Sequence, residues 1–246
     1  MSLSLALPIG ATAPIEDLTM YNTIMAVATG VALLLIVQFG TRLHRREEVA
    51  YEGWAVAFGV LGTILTLTGL HMSLTWPLPK VADNCCTHDN IVFGEPSLAF
   101  GLMLLGATVI LWRRANTTPA QEHEGEMTEY FARLAQPISW FAAAMGCALF
   151  AIAVAGVKYK LFAAPPQEPI SGEFADKPLL EASFISALWA VIGLGAVLLP
   201  FALRTLRARL ITIIRVCWTA GGAVMLAFGI LNYFTHIGLL VNSNAG

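Results

Sequence analysis

The side chains best suited to chemistry are six polar groups near the ends of apolar segments. They are His71, Glu95, Lys158, Glu181, Asn232 and His236. Ionisable groups are costly to place within a membrane and often mark functional sites there. We therefore predict a polar cluster of these six residues at the outer side of a helical bundle.

Two of these residues, His71 and His236, each lie about five residues before the outer end of an apolar segment. Two neutral imidazoles at one depth suit the axial positions of a haem or part of a copper site. They suit equally a hydrogen bond to a neighbouring helix, or a polar cavity for a substrate or a proton. The sequence leaves these three alternatives open.

A polar loop adds further metal-ligand candidates in the sequence NCCTHDN, namely Cys85, Cys86 and His88. Structural metal sites usually show spacings such as CxxC, and this loop has none. No haem-attachment, phosphate-binding or nucleophile motif occurs elsewhere. The sequence thus requires no cofactor, although haem or copper would fit these ligands, and it favours a protein that is not an enzyme.

Both acidic candidates also have a structural explanation. Glu95 directly precedes Pro96, which is typical of a first helical turn, so we expect Glu95 to cap a helix N-terminus. Pro137 and Pro178 predict first turns in the same way. Glu181 follows the start of its segment by a turn, and we expect it to pair with Lys158.

The composition is that of a membrane protein. Hydrophobic residues make up 57% of the 246 residues and charged residues only 12%, with a mean hydropathy of +0.70. So few charges cannot cover a soluble globule. The net charge of −2 argues against nucleic acid as a partner. We expect the lipid bilayer and other membrane-protein subunits as partners.

Six stretches are long and apolar enough to cross a bilayer, which takes roughly 20 residues. They predict an all-α bundle that forms one domain over residues 1–246. The predicted helices are Tyr21–Gly40, Trp54–Trp76, Pro96–Trp112, Pro137–Val157, Pro178–Leu203 and Ile211–Val241.

The basic residues predict the orientation, because Lys and Arg accumulate on the cytoplasmic side. Ten of the 14 Lys and Arg residues fall on one side of a six-helix arrangement. The other side has Lys80, Lys158, Lys160 and Lys177. We predict a protein of the plasma membrane with both termini outside.

An internal repeat is suggested by the second and fourth segments, each followed by a loop and a returning segment. The alignment places His71 over Lys158, and it places Glu95 over the region of Glu181. Both hairpins would run in the same direction, which predicts a parallel repeat around an axis along the membrane normal.

Three stretches resemble an uncharacterised family of multi-pass membrane proteins from actinobacteria and archaea, which is known as a domain of unknown function. The stretches are EDLTMYNTIMA, YEGWAVAFGVLGTILTLTGLHMSLTWPL and DNIVFGEPSLAFGLMLLGA, between Glu16 and Trp112. The resemblance implies a prokaryotic plasma-membrane protein and implies no activity.

The sequence favours an accessory or structural subunit of a larger membrane complex, such as a respiratory complex. Small loops and glycine-rich helices fit this function. Two alternatives remain: a small transporter or channel with an outward-facing polar cavity, and a membrane redox protein that binds haem or a metal.

Overall fold

The computed structural model describes residues 22–75, 88–116 and 126–244, and within these ranges it contains helices and no strands. All six helices are long and apolar enough to cross a membrane. They are α1 (Asn22–His44), α2 (Tyr51–Leu74), α3 (Glu95–Ala115), α4 (Glu126–Tyr159), α5 (Pro178–Thr205) and α6 (Ala208–Asn244). The predicted all-α fold with six membrane-spanning helices is confirmed.

The starts of α4 and α3 show where the structure departs most from the sequence prediction. α4 begins at Glu126, so Pro137 lies inside the helix and not in its first turn. The polar stretch before Pro137 is itself helical and continuous with the apolar part. The α3 helix is preceded by a π-helical turn, Asn90–Gly94. Glu95 is therefore not the first residue with a helical backbone. No side-chain cap forms at this junction, and the expected capping role of Glu95 is therefore not seen.

The helices are arranged as three antiparallel pairs, and each pair crosses where two glycines meet. The pairs are α2 with α3, α4 with α5, and α6 with α1. In a bilayer the hydrophobic effect does not drive helices together, because the lipid tails are as apolar as the side chains. Small residues allow the helices to approach closely and so increase their van der Waals contact. The crossing glycines are Gly62 with Gly101, Gly146 with Gly193, and Gly222 with Gly30.

The three crossings share one local geometry. A Cβ atom added to the first glycine of each pair would lie 3.0, 2.7 and 3.0 Å, respectively, from the carbonyl oxygen of its partner. It would also meet the residues three and four positions after that partner, for example Leu104 and Leu105 beyond Gly101. The parallel repeat thus has three copies, and the third joins the last helix to the first.

This geometry changes the register of the repeat. Gly62 matches Gly146, so Gly69 matches Ala153, three residues before the Gly156 that the sequence alignment had placed there. In the structural register, Glu181 matches Asp89, because each lies twelve residues before the crossing glycine of its helix. His71 and Lys158 are therefore not equivalent positions.

The two ends of the bundle differ in charge. The arginine end carries Arg42, Arg45, Arg46, Arg113, Arg114, Arg133, Arg204, Arg207 and Arg209, at the ends of α1, α3 and α5 and the starts of α4 and α6. The opposite end, which we call the acidic end, carries Asp89, Glu168 and Glu181. The side of the membrane that each end faces stays a prediction.

Candidate functional site

A large cavity runs through the middle of the bundle, and we call it the chamber. Its volume is about 1200 Å³, somewhat above the roughly 300–1,000 Å³ of typical small-molecule pockets. α1, α3, α4, α5 and α6 supply most of its wall, whereas α2 contributes Phe58 alone. The chamber reaches from the acidic end to the arginine end.

The middle of the chamber is apolar. Its wall there is formed by one face of each contributing helix, including Leu33, Phe100, Met103, Leu188 and Leu199. Few polar side chains interrupt this surface, among them Thr29 and Ser139, and apolar cavities of this kind hold ordered water poorly. The middle of the chamber therefore suits the apolar part of a ligand.

The acidic end of the chamber holds two carboxylates and an imidazole. The backbone N–H of Ala164 donates a hydrogen bond of 2.7 Å to Oε2 of Glu181. An Oε1 atom of Glu168 lies 3.9 Å from Nε2 of His236, and Nδ1 of His236 is 3.0 Å from the Thr23 hydroxyl. Glu168 and Glu181 line the same end of the chamber. Burial raises the pKa of Glu168 above its ordinary value, with the Thr235 hydroxyl acting in the opposite direction.

A third carboxylate reaches the same end from the π-helical turn. Asp89 has an exposed side-chain fraction of only 14%, and its Oδ1 lies 3.4 Å from Nε2 of His88. Burial raises the pKa of Asp89 to about 6, although His88 acts to lower it. The turn itself is fixed by Asn90, whose side-chain amide donates a 2.6 Å hydrogen bond to the carbonyl oxygen of Met72. The π-helical turn thus positions Asp89 at the mouth of the chamber.

Three aromatic rings line the chamber next to these carboxylates, and we call them the aromatic group: Phe93, Phe162 and Trp189. Phe93 lies 5.8 Å from Trp189 and 6.3 Å from Phe162, measured between ring centroids. Trp189 is 5% exposed, and its indole N–H is buried without a hydrogen-bond partner.

The arginine end of the chamber is also polar. His44, Thr128 and Arg215 line it, and the Thr128 hydroxyl donates a 3.2 Å hydrogen bond to the carbonyl oxygen of Leu43. Glu52, near the start of α2 at the same end, is exposed and does not line the chamber. Both mouths of the chamber therefore carry polar side chains.

The predicted cluster divides into two groups. Glu181, Asn232 and His236 line the acidic end of the chamber together, as does His88 from the metal candidates. His71, Glu95 and Lys158 are exposed and do not line it. Lys158 lies 5.2 Å from the Tyr159 ring, and Glu181 bonds to Ala164, so the expected Lys158–Glu181 pair is not formed.

The structure does not bring the metal candidates into one site. Across residues 22–75, 88–116 and 126–244, no three His, Cys, Asp or Glu side chains group in a way that could hold a metal ion. His236 lines the chamber whereas His71 lies on the exposed face of α2, so the two imidazoles share no pocket. Cys85 and Cys86 lie outside the described residues.

Two chamber carboxylates, Asp89 and Glu168, were not among the residues predicted from sequence. Both lie in connecting segments, where charged residues are common, so a carboxylate there does not by itself indicate a functional site. The three-copy repeat would have identified Asp89 from sequence, since it matches Glu181 in the structural register. Glu168 follows two prolines in the α4–α5 connection, and no sequence pattern distinguishes it.

Comparisons with known proteins give a family and no activity. A search of curated proteins and a search of solved structures each found no match to this chain. A family model described as "Protein of unknown function (DUF981)" matches residues 18–238. This range includes all of the described chamber helices except the last residues of α6. The chain therefore belongs to this family, the proteins of unknown function DUF981.

Proposed function

We propose that this membrane protein is a small carrier that binds an amphipathic molecule in the chamber and passes it between the two ends of the bundle. The observation that supports it is the chamber, with its apolar middle and its polar groups at both mouths. Such a division matches a ligand with one apolar part and one polar part. The proposal develops the transporter alternative that the sequence left open.

The contrast between inner and outer helix faces allows a matched test. Met103 on α3 and Ala196 on α5 line the chamber, whereas Leu102 and Leu194 on the same helices are exposed on the outside. Tryptophan at both inner positions would fill part of the void. Tryptophan at both outer positions would project from the bundle and leave the void unchanged.

We expect the Met103→Trp/Ala196→Trp variant to lose transport. Proteoliposomes loaded with decyltrimethylammonium, decyl sulfate or decyl maltoside should release at least one of these probes faster than vesicles without protein. The inner double variant should reduce that excess rate at least tenfold. The Leu102→Trp/Leu194→Trp control should keep it within about twofold. A wild-type rate equal to that of empty vesicles, or an unaffected inner variant, would overturn the proposal.

The accessory-subunit prediction remains a second candidate. Exposed apolar residues such as Val56, Val154 and Val216 cover the outer faces of the bundle and would suit another membrane protein. Lipid covers such faces equally well, so they require no protein partner. A partner that co-purifies at a fixed ratio from native membranes would support this candidate, and a bare monomer in mild detergent would count against it.

A further inference from the structure

The acidic end of the chamber is lined by Asp89, Glu168 and Glu181, whereas Lys158, Lys160 and Lys177 at the same end of the bundle do not line it. Among the described residues, no Lys or Arg nitrogen lies within 4.0 Å of the carboxylates of Asp89, Glu168 or Glu181. Their nearest basic groups are the imidazoles of His88 and His236. Partly buried charges are stable only when they are paired or hydrogen-bonded. A positively charged ligand would provide the missing partner.

The aromatic group lies on the path from these carboxylates into the chamber. The carbonyl oxygen of Leu161, next to Phe162, lies 3.2 Å from Nε2 of His88, so Phe162 adjoins the residue before Asp89. Aromatic faces bind ammonium groups through their quadrupole, and quaternary ammonium ligands are commonly recognised in this way. Phe93 and Trp189 extend this aromatic surface to α3 and α5.

We propose that the ligand of the chamber is an amphipathic cation, whose ammonium group lies between the acidic-end carboxylates and the aromatic group and whose apolar tail lies along the middle of the chamber. This inference rests on the proposed carrier function and specifies its substrate class. The charge of the ligand is the new element, since the chamber alone would accept a neutral or anionic amphiphile.

Three probes with the same ten-carbon tail test the charge preference directly. Binding of decyltrimethylammonium, decyl sulfate and decyl maltoside to the protein in nanodiscs would be measured by equilibrium dialysis at pH 7.5. We expect the cation to bind at least tenfold more tightly than either of the others. Equal affinities, or tighter binding of the anion, would overturn this inference and leave the carrier function standing.

Replacing the carboxylates with carboxamides tests whether these side chains cause the preference for the cation. Glu168→Gln/Glu181→Gln should weaken binding of the cation at least tenfold and change the affinity for decyl maltoside by less than about twofold. Retained binding of decyl maltoside also shows that the variant is folded. If the double variant does not fold, the single variant Glu168→Gln is used for the same measurement. Glu173 is exposed in the same connecting segment, so Glu173→Gln should leave all three affinities unchanged. A cation preference that survives loss of both carboxylates would contradict the assigned site.

The preference for the cation over decyl maltoside should also weaken at low pH. Lowering the pH from 7.5 to 5 protonates Asp89, whose pKa is about 6, and so removes a negative charge from the acidic end, which His88 and His236 also line. Glu168 and Glu181 face the same end and lose charge if they are protonated. All these changes disfavour a cation, so decyltrimethylammonium should bind more weakly at pH 5 while decyl maltoside is unaffected. An unchanged or tighter cation affinity at pH 5 would contradict the proposal.

Discussion

Replacing Gly101 with alanine is expected to destabilise the protein by at least about 2 kcal/mol, because the added methyl group would meet backbone atoms of the partner helix. A Cβ atom at this position would lie 2.6 Å from the backbone nitrogen of Thr66 and 2.9 Å from the carbonyl oxygen of Gly62. Backbone atoms cannot rotate away as a side chain can, so α2 and α3 would have to separate. Thermal unfolding in detergent would measure the loss.

Gly106, one and a half turns further along α3, provides the control. A Cβ atom there would have no other atom within 4 Å. Alanine has a higher helix propensity than glycine by up to about 1 kcal/mol, so Gly106→Ala should be neutral or slightly stabilising. If both alanine variants unfolded at the same temperature, the close glycine crossings would not hold the helix pairs together.

Replacing Asp89 with asparagine is expected to stabilise the protein at pH 8 and to have little effect at pH 4. Burial raises the pKa of Asp89 from 3.8 to about 6, so the folded protein binds this proton more tightly than the unfolded chain. The contribution of Asp89 to the free energy of unfolding is therefore fully present below about pH 4, and it is lost as the pH rises through 6. A shift of this size corresponds to roughly 3 kcal/mol at most, which asparagine would recover.

The pH dependence of unfolding would test this prediction. The gain in melting temperature for Asp89→Asn should appear between pH 4 and pH 7 and then level off. Asp176 is exposed, so Asp176→Asn should show no such pH-dependent gain. A variant that is destabilised at pH 8 would mean that the charged form of Asp89 is favoured in the folded protein, the opposite of what its burial predicts.

Helix number could be predicted from sequence, whereas the direction in which each side chain points could not. Long apolar stretches identify spanning helices regardless of their neighbours. The rotation of a helix depends on its contacts, and α2 turns Gly69 and Met72 towards α3. His71 is consequently left on the exposed face. Its distance from the end of its apolar segment is nevertheless the same as that of His236, which lines the chamber.

Helix ends and loop residues were the other features that sequence could not supply. Pro137 is typical of a first turn, but the preceding residues of α4 are helical too, so the proline lies within the helix. Glu168 reaches the chamber only because the α4–α5 connection folds back against α6, where Asn242 donates a 2.8 Å hydrogen bond to the carbonyl oxygen of Gln167. Long-range contacts of this kind have no local sequence pattern.

The central claim is that an amphipathic molecule binds inside the chamber, and photolabelling tests it most directly. Decyl maltoside with a diazirine on its alkyl chain would be activated on the protein in nanodiscs, and the labelled residues identified by peptide mass spectrometry. We predict labels on chamber residues such as Phe100, Met103 and Leu199, which excess unlabelled decyl maltoside removes. Labels confined to outward-facing residues such as Val56, Val154 and Val216, unaffected by competition, would contradict the claim.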